Sequence, residues 1–196
     1  MTMPRDVAHE GQNLAEVARL VRGCTACPEL ASSRSRAVPG TFPPGARVLL
    51  VGGAPEAEED GAGEPFVGSP GELLDELLVD VGLDRDRVAV TNVVKCRPAN
   101  DRKPANGEMG RCRTWLERQV ELADPRVICV LGATAARWAL QTRSVRIAST
   151  REQLHSYAGR PLVVTYHPSE AARFGPDAAP RARLREDLGR VAELAG

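Results

Sequence analysis

The sequence predicts an α/β protein of three layers, α/β/α, around a central, mainly parallel sheet of four strands. Two observations carry this. Short unbroken apolar runs, such as Arg47-Val48-Leu49-Leu50-Val51 and Val127-Ile128-Cys129-Val130-Leu131, have the composition of strands covered on both faces. Segments with apolar residues at helical spacing lie between these runs, and such alternation builds parallel sheets with helices on both sides. At 196 residues the chain can bury a core of its own. No repeat, low-complexity tract or linker divides it, so one domain over residues 1–196 is expected.

Taken in order, Leu14, Val17, Ala18 and Val21 mark one face of a first helix ending near Arg22. A loop rich in Ser, Arg, Pro and Gly spans residues 32–45 before the first strand, which breaks at Gly52-Gly53-Ala54-Pro55. Leu73, Leu74, Leu77, Leu78 and Val81 form the stripe of the next helix. Residues 88–93 read as the second strand, 108–122 as a helix, and 127–131 as the third strand after Pro125. Gly132 and Thr134 open a helix through Trp138 and Leu140. Residues 162–166 form the fourth strand, ending at His167-Pro168-Ser169, and a helix over 178–194 closes the chain. Ligands in such sheets bind at the carboxyl ends of the strands. Those ends here carry Gly52 to Pro55, Asn92, Gly132 and His167.

Composition narrows the function. Lys plus Arg and Asp plus Glu both number 26, so bulk charge cannot grip a polyanion, although a local basic stripe can. Residues 51–86 hold eleven acids and one base, whereas residues 92–118 hold seven bases and three acids. This suggests a basic rim beside an acidic loop. No apolar run has the length of a membrane span. Arg5, Asp6, Glu10, Glu16 and Arg19 argue against a signal peptide. A cytoplasmic monomer without a membrane partner is expected.

Five cysteines in a reducing compartment read as metal ligands before disulfides. Cys24 and Cys27 form a close pair in a turn-like context, and Cys96 and Cys112 have 15 residues between them. Cys129, inside an apolar run, reads as core. Four thiolates suit zinc or an iron–sulfur cluster, and spacing alone leaves the two open. His167 is placed for function by its strand end. Asn92 ends an apolar strand, and its carboxamide offers a donor and an acceptor in one plane, as a nucleobase edge requires. Phe66, one of seven aromatic residues, lies on a Pro/Gly-framed loop as a core plug or a stacking platform. The acidic cluster Glu56, Glu58, Glu59 and Asp60 reads as a solvated face from which one carboxylate could orient water.

With these residues placed, the sequence resembles the iron–sulfur uracil-DNA glycosylases, family 4 of that superfamily. The ordered set is Cys24-x-x-Cys27, Val38-Pro39-Gly40, Gly52-Gly53-Ala54-Pro55, Glu59-Asp60 and Pro65-Phe66-Val67-Gly68. It continues with Thr91-Asn92-Val93-Val94-Lys95-Cys96-Arg97-Pro98, Cys112-Arg113, Leu131-Gly132-Ala133-Thr134-Ala135 and His167-Pro168-Ser169. The resemblance implies a structural [4Fe–4S] cluster on Cys24, Cys27, Cys96 and Cys112, with zinc the alternative occupant. It implies that Phe66 stacks on a uracil flipped from single- or double-stranded DNA and that Asn92 reads its edge. Gly53 and Ala54 would flank the base, and His167 would stabilise it as the N-glycosidic bond is hydrolysed to leave an abasic site. Residues 169–174 would enter the DNA where the base left. No diffusible cofactor is implied.

One departure stands out. The family's first motif usually reads Gly-Glu-Ala-Pro-Gly, whereas here Gly53 takes the acid's place and Glu56 the last glycine's. Either Glu56 or Asp60 supplies the carboxylate and activity survives, or the protein is a weak or inactive homologue that binds uracil-containing or damaged DNA. Cys96-Arg97-Pro98 stands where the covalently trapping branch carries a basic loop ending in His, so covalent capture is not expected.

Overall fold

A computed structural model describes residues 11–173 and 178–196. Among these residues the helices are α1 (Leu14–Arg22), α2 (Pro28–Ser33), α3 (Ala57–Ala62), α4 (Ser69–Asp80), α5 (Asn106–Ala123), α6 (Gly132–Ala139), α7 (Ile147–Thr150), α8 (Pro168–Ala172) and α9 (Ala179–Ala195). The strands are β1 (Val48–Gly52), β2 (Val88–Asn92), β3 (Val127–Leu131), β4 (His155–Tyr157) and β5 (Arg160–Thr165). Their order in the sheet is β2-β1-β3-β5-β4, with β2, β1, β3 and β5 parallel.

Every residue of β1, β2 and β3 is buried, the cause of their unbroken apolar composition. Alternate residues feed opposite cores. Leu49, Val51, Ile128, Val130, Leu162 and Val164 pack with Val17 and Val21 of α1, Trp115 and Leu116 of α5, and Ala135 and Trp138 of α6. Val48, Leu50, Val127, Cys129 and Val163 pack with the leucine stripe of α4 and with Leu184, Leu188 and Val191 of α9. This is the expected three-layer architecture. No helix among the described residues is long and apolar enough to cross a membrane.

The sequence reading contains no counterpart of the short helices α2, α7 and α8, and two further elements depart from it. The sheet has a fifth strand, β4, paired antiparallel to β5 through Ala158-Gly159, both at positive φ. Two positive φ values suit a tight hairpin, but Ala-Gly is a weaker signal than Asn-Gly, and three residues are too few to show alternation. His155, expected at the surface, lies half-buried in this edge strand, with Nε2 2.9 Å from the Thr150 carbonyl oxygen. His9 lies outside the described residues. The acidic segment after β1 is not a solvated face: it folds as α3, and Glu59 and Asp60 are buried.

Candidate active site

The parallel register sets Gly52 beside Asn92 and Leu131 beside Thr165, so the strand-end loops emerge on one side of the sheet. A cleft of about 310 Å³ opens there. Gly53, Ala54, Glu56 and His167 line it, with Arg102, Lys103 and Arg173 on its rim. Of the sequence-predicted residues, Asn92 and Phe66 do not line this cleft. They lie behind it, 1% and 5% exposed, and the Phe66 ring sits 5.5 Å from that of His167 at 33°.

Glycines make this arrangement possible. A Cβ at Gly52 would overlap Asn92 Oδ1 and fall 2.7 Å from Phe66 Cζ. One at Gly71 would collide with the Phe66 carbonyl group, which is turned by a positive φ of 54°. Gly132 combines a φ of 82° with a virtual Cβ only 3.0 Å from that of His167, so a side chain there would be strained twice over.

Glu59, the third residue of α3, ties the parts together. Its Oε1 accepts from the Phe66 backbone N–H at 2.7 Å and from Asn92 Nδ2 at 3.2 Å, and its Oε2 accepts from the Glu56 N–H at 2.6 Å. Burial raises its pKa, and these donors oppose the rise. Asn92 Oδ1 remains buried without a hydrogen-bond partner. Sequence reasoning included Glu59 in a motif but gave it no role, because composition does not separate a buried carboxylate from a solvated one.

His167 is the N-cap of α8. Its Nδ1 accepts the Ser169 N–H at 3.2 Å and lies 2.7 Å from Ser169 Oγ. A nitrogen that accepts a backbone N–H is unprotonated, which leaves the proton on Nε2. Burial lowers the imidazole pKa to about 4, so the ring is neutral at neutral pH.

The carboxylates divide. Asp60 accepts the N–H groups of Ser35 and Arg36, at 2.8 and 3.2 Å, and is 2% exposed. It anchors the chain after α2 and is committed there, so of the two acids expected near the water only Glu56 faces the cleft. At Gly53 a Cβ would lie 3.1 Å from Thr134 Cβ, so the space beside the missing acid is partly taken by threonine.

The expected basic rim is interrupted. Lys95 is fully buried, Arg97 pairs with Asp101 at 2.7 Å, and Arg102 pairs with Glu108 at 2.6 Å. Lys95 Nζ donates to Thr91 Oγ1, the Asn92 carbonyl and Gln119 Oε1 at 2.6, 2.8 and 2.6 Å. Burial draws its ammonium pKa down to about 7. Nothing in the local sequence distinguishes this lysine from its exposed neighbours.

Cys24, Cys27, Cys96 and Cys112 line one cavity with Arg34, Lys95 and Arg111. Three sulfurs already face N–H donors: Cys96 takes Arg34 Nη1 at 2.7 Å, Cys27 takes Arg111 Nε at 3.2 Å, and Cys112 takes the Lys95 backbone at 3.3 Å. Such donors stabilise thiolates bound to iron. Burial pushes the Cys112 thiol up to about 12, so it needs a cation to ionise. Among the described residues no group of three or more His, Cys, Asp or Glu is arranged to hold a single metal ion. A four-iron cluster needs no such convergence, because each cysteine meets a different iron. Cys129 lies in the core on the other face of the sheet.

Comparison with known proteins identifies the family. The sequence model of the uracil DNA glycosylase superfamily matches residues 39–189. The type-4 uracil-DNA glycosylase of Thermotoga maritima is 40% identical over 158 residues, covering 80% of this chain and 82% of that protein. The type-4 enzyme of Sulfurisphaera tokodaii is 36% identical over 191 residues (93% and 85%), and that of Archaeoglobus fulgidus 34% over 192 (94% of each). The chain therefore belongs to the uracil-DNA glycosylase superfamily, in its type-4 family.

Proposed function

We propose that the protein excises uracil from DNA by hydrolysing its N-glycosidic bond, leaving an abasic site. Asn92 Oδ1 is the observation that carries this reading. A buried acceptor without a partner calls for a donor, and uracil presents an N–H flanked by two carbonyls. A flipped base would stack on Phe66, with the backbone of Gly53 and Ala54 beside it and Asn92 at its edge. Admitting it requires the Phe66 and Asn92 side of the cleft to open. His167 would present Nε2–H to the base oxygen on which negative charge grows as the bond breaks. A neutral donor suits that task, and loss of one such group typically slows a reaction roughly 10²–10³-fold. Glu56 would stabilise the cationic sugar or orient the attacking water from the cleft wall.

Cys24, Cys27, Cys96 and Cys112 would hold the [4Fe–4S] cluster, which supplies structure and no chemistry of the reaction. It would tie the turn between α1 and α2 to the segment after β2 and to α5. Lys103 and Arg173, on the cleft wall, would meet phosphates of single- or double-stranded DNA. Residues 169–174 would fill the gap in the DNA helix; the segment expected to be a loop begins as helix α8, and Phe174 lies outside the described residues. The whole chain acts as one monomeric domain in the cytoplasm in this reading. Gly53 in place of the family's acid is the observation behind a second reading, a lesion binder that does not cleave. Release of free uracil by wild type, His167→Ala and Asn92→Ala decides: both variants should slow sharply, and wild-type rates in both would place the pocket elsewhere.

A further inference from the structure

Asn92 has a symmetry problem that its own side chain cannot solve. A carboxamide turned one way offers an acceptor to N3–H and a donor to O4 of uracil. Turned by 180° it offers a donor to N3 and an acceptor to the N4 amine of cytosine. The terminal torsion of asparagine is soft and roughly two-fold, and the two bases have nearly the same shape. Discrimination between them therefore requires something else to fix the amide.

Glu59 meets that requirement. One N–H of Asn92 Nδ2 points at Glu59 Oε1, 3.2 Å away. The reversed amide would set Oδ1 against a carboxylate oxygen, acceptor against acceptor. The carboxylate cannot turn aside, because the N–H groups of Phe66 and Glu56 hold Oε1 and Oε2 at 2.7 and 2.6 Å. Every neighbour within hydrogen-bond reach of this carboxylate is a donor. With one hydrogen committed to Glu59, the other hydrogen of Nδ2 and the unpartnered Oδ1 form a donor–acceptor pair. Oδ1 lies over Gly52 close to the Phe66 ring edge, where it would meet the edge of a base stacked on the ring face.

We propose that Glu59 is the specificity-determining positioning residue of this site, locking the Asn92 carboxamide in the orientation that accepts uracil and rejects cytosine. This rests on the reading that Asn92 contacts the base edge. It also links base choice to the stacking platform, since one carboxylate oxygen positions both Phe66 and Asn92.

The test is ligand-observed NMR titration of the intact protein with free uracil and free cytosine, which needs no turnover. Wild type should bind uracil more tightly. In Glu59→Ala the ratio of the two dissociation constants should shrink roughly tenfold or more, the scale of one hydrogen bond to a charged group. Glu59→Leu, which refills the volume, should do the same if the alanine variant does not fold. Glu59→Gln should keep the ratio within about threefold of wild type, because its carbonyl can still accept from Phe66 and Asn92 at the Oε1 corner. Equal weakening of both bases in Glu59→Ala or Glu59→Leu, with the ratio unchanged, would overturn the lock and leave Glu59 a structural anchor. So would a glutamine variant as permissive as alanine. An intact ratio in Asn92→Ala would instead show that Asn92 does not read the base.

Discussion

Replacing His167 by alanine tests the chemistry of the site at one atom. The Ser169 N–H holds Nδ1 as an acceptor, and burial holds the ring pKa near 4, so the group lost is a neutral Nε2–H donor. Excision should slow roughly 10²–10³-fold under single-turnover conditions, with DNA affinity much less changed. A pKa lowered from 6.5 to about 4 leaves only about one part in a thousand protonated at pH 7. The wild-type rate should therefore show no His167 titration between roughly pH 5 and 8. Stability has a definite sign as well. Between the ordinary pKa and the folded one, the unfolded chain binds a proton that the folded chain excludes. His167 therefore makes stability fall as pH drops through that window, and the alanine variant should lose this part of the slope. Quench-flow excision across pH and urea melts measure both. A wild-type rate with a midpoint near 6.5, or a loss below about threefold in His167→Ala, would refute the neutral-donor account.

Three further outcomes follow from the same geometry. Gly52→Ala overpacks Asn92 and Phe66 by about 1–3 kcal/mol; uracil binding should be lost while the melting temperature falls by roughly 3–10 °C, checked by titration and calorimetry. Gly53→Glu alone should slow excision, since it crowds Thr134 and puts two carboxylates on one wall. In a Glu56→Ala background the same change should restore about tenfold of the lost rate. Cys112→Ser should strip most of the iron and the broad absorbance near about 400 nm from the purified protein, whereas Cys129→Ser should leave both intact, as iron assay and spectrum report.

The layered fold was legible because buried parallel strands leave an unmistakable trace: β3 has the bounds that its apolar run suggests, and Cys129 reads as core from that run alone. His167 and Asn92 stand out as candidates because chain order puts them at strand ends, where ligands bind in such sheets. What stayed hidden depends on three dimensions. Glu59 and Asp60 are adjacent acids in an acidic stretch, yet one faces Asn92 and the other caps a loop 25 residues upstream. Lys95 looks like part of a basic surface, but its partners Thr91 and Gln119 come from β2 and α5 and draw it fully inside. The burial of these charges depends on partners such as Gln119, 24 residues from Lys95, and Asn92, 33 residues from Glu59, and periodicity does not record them.

The most direct test is single-turnover excision on single- and double-stranded DNA carrying one uracil, with wild type and Glu56→Ala compared at matched binding. Cleavage by wild type, slowed roughly a hundredfold in Glu56→Ala with affinity kept, is the predicted result. Wild-type protein that binds uracil-containing DNA and leaves the base in place would contradict the account and make the chain a reader of lesions.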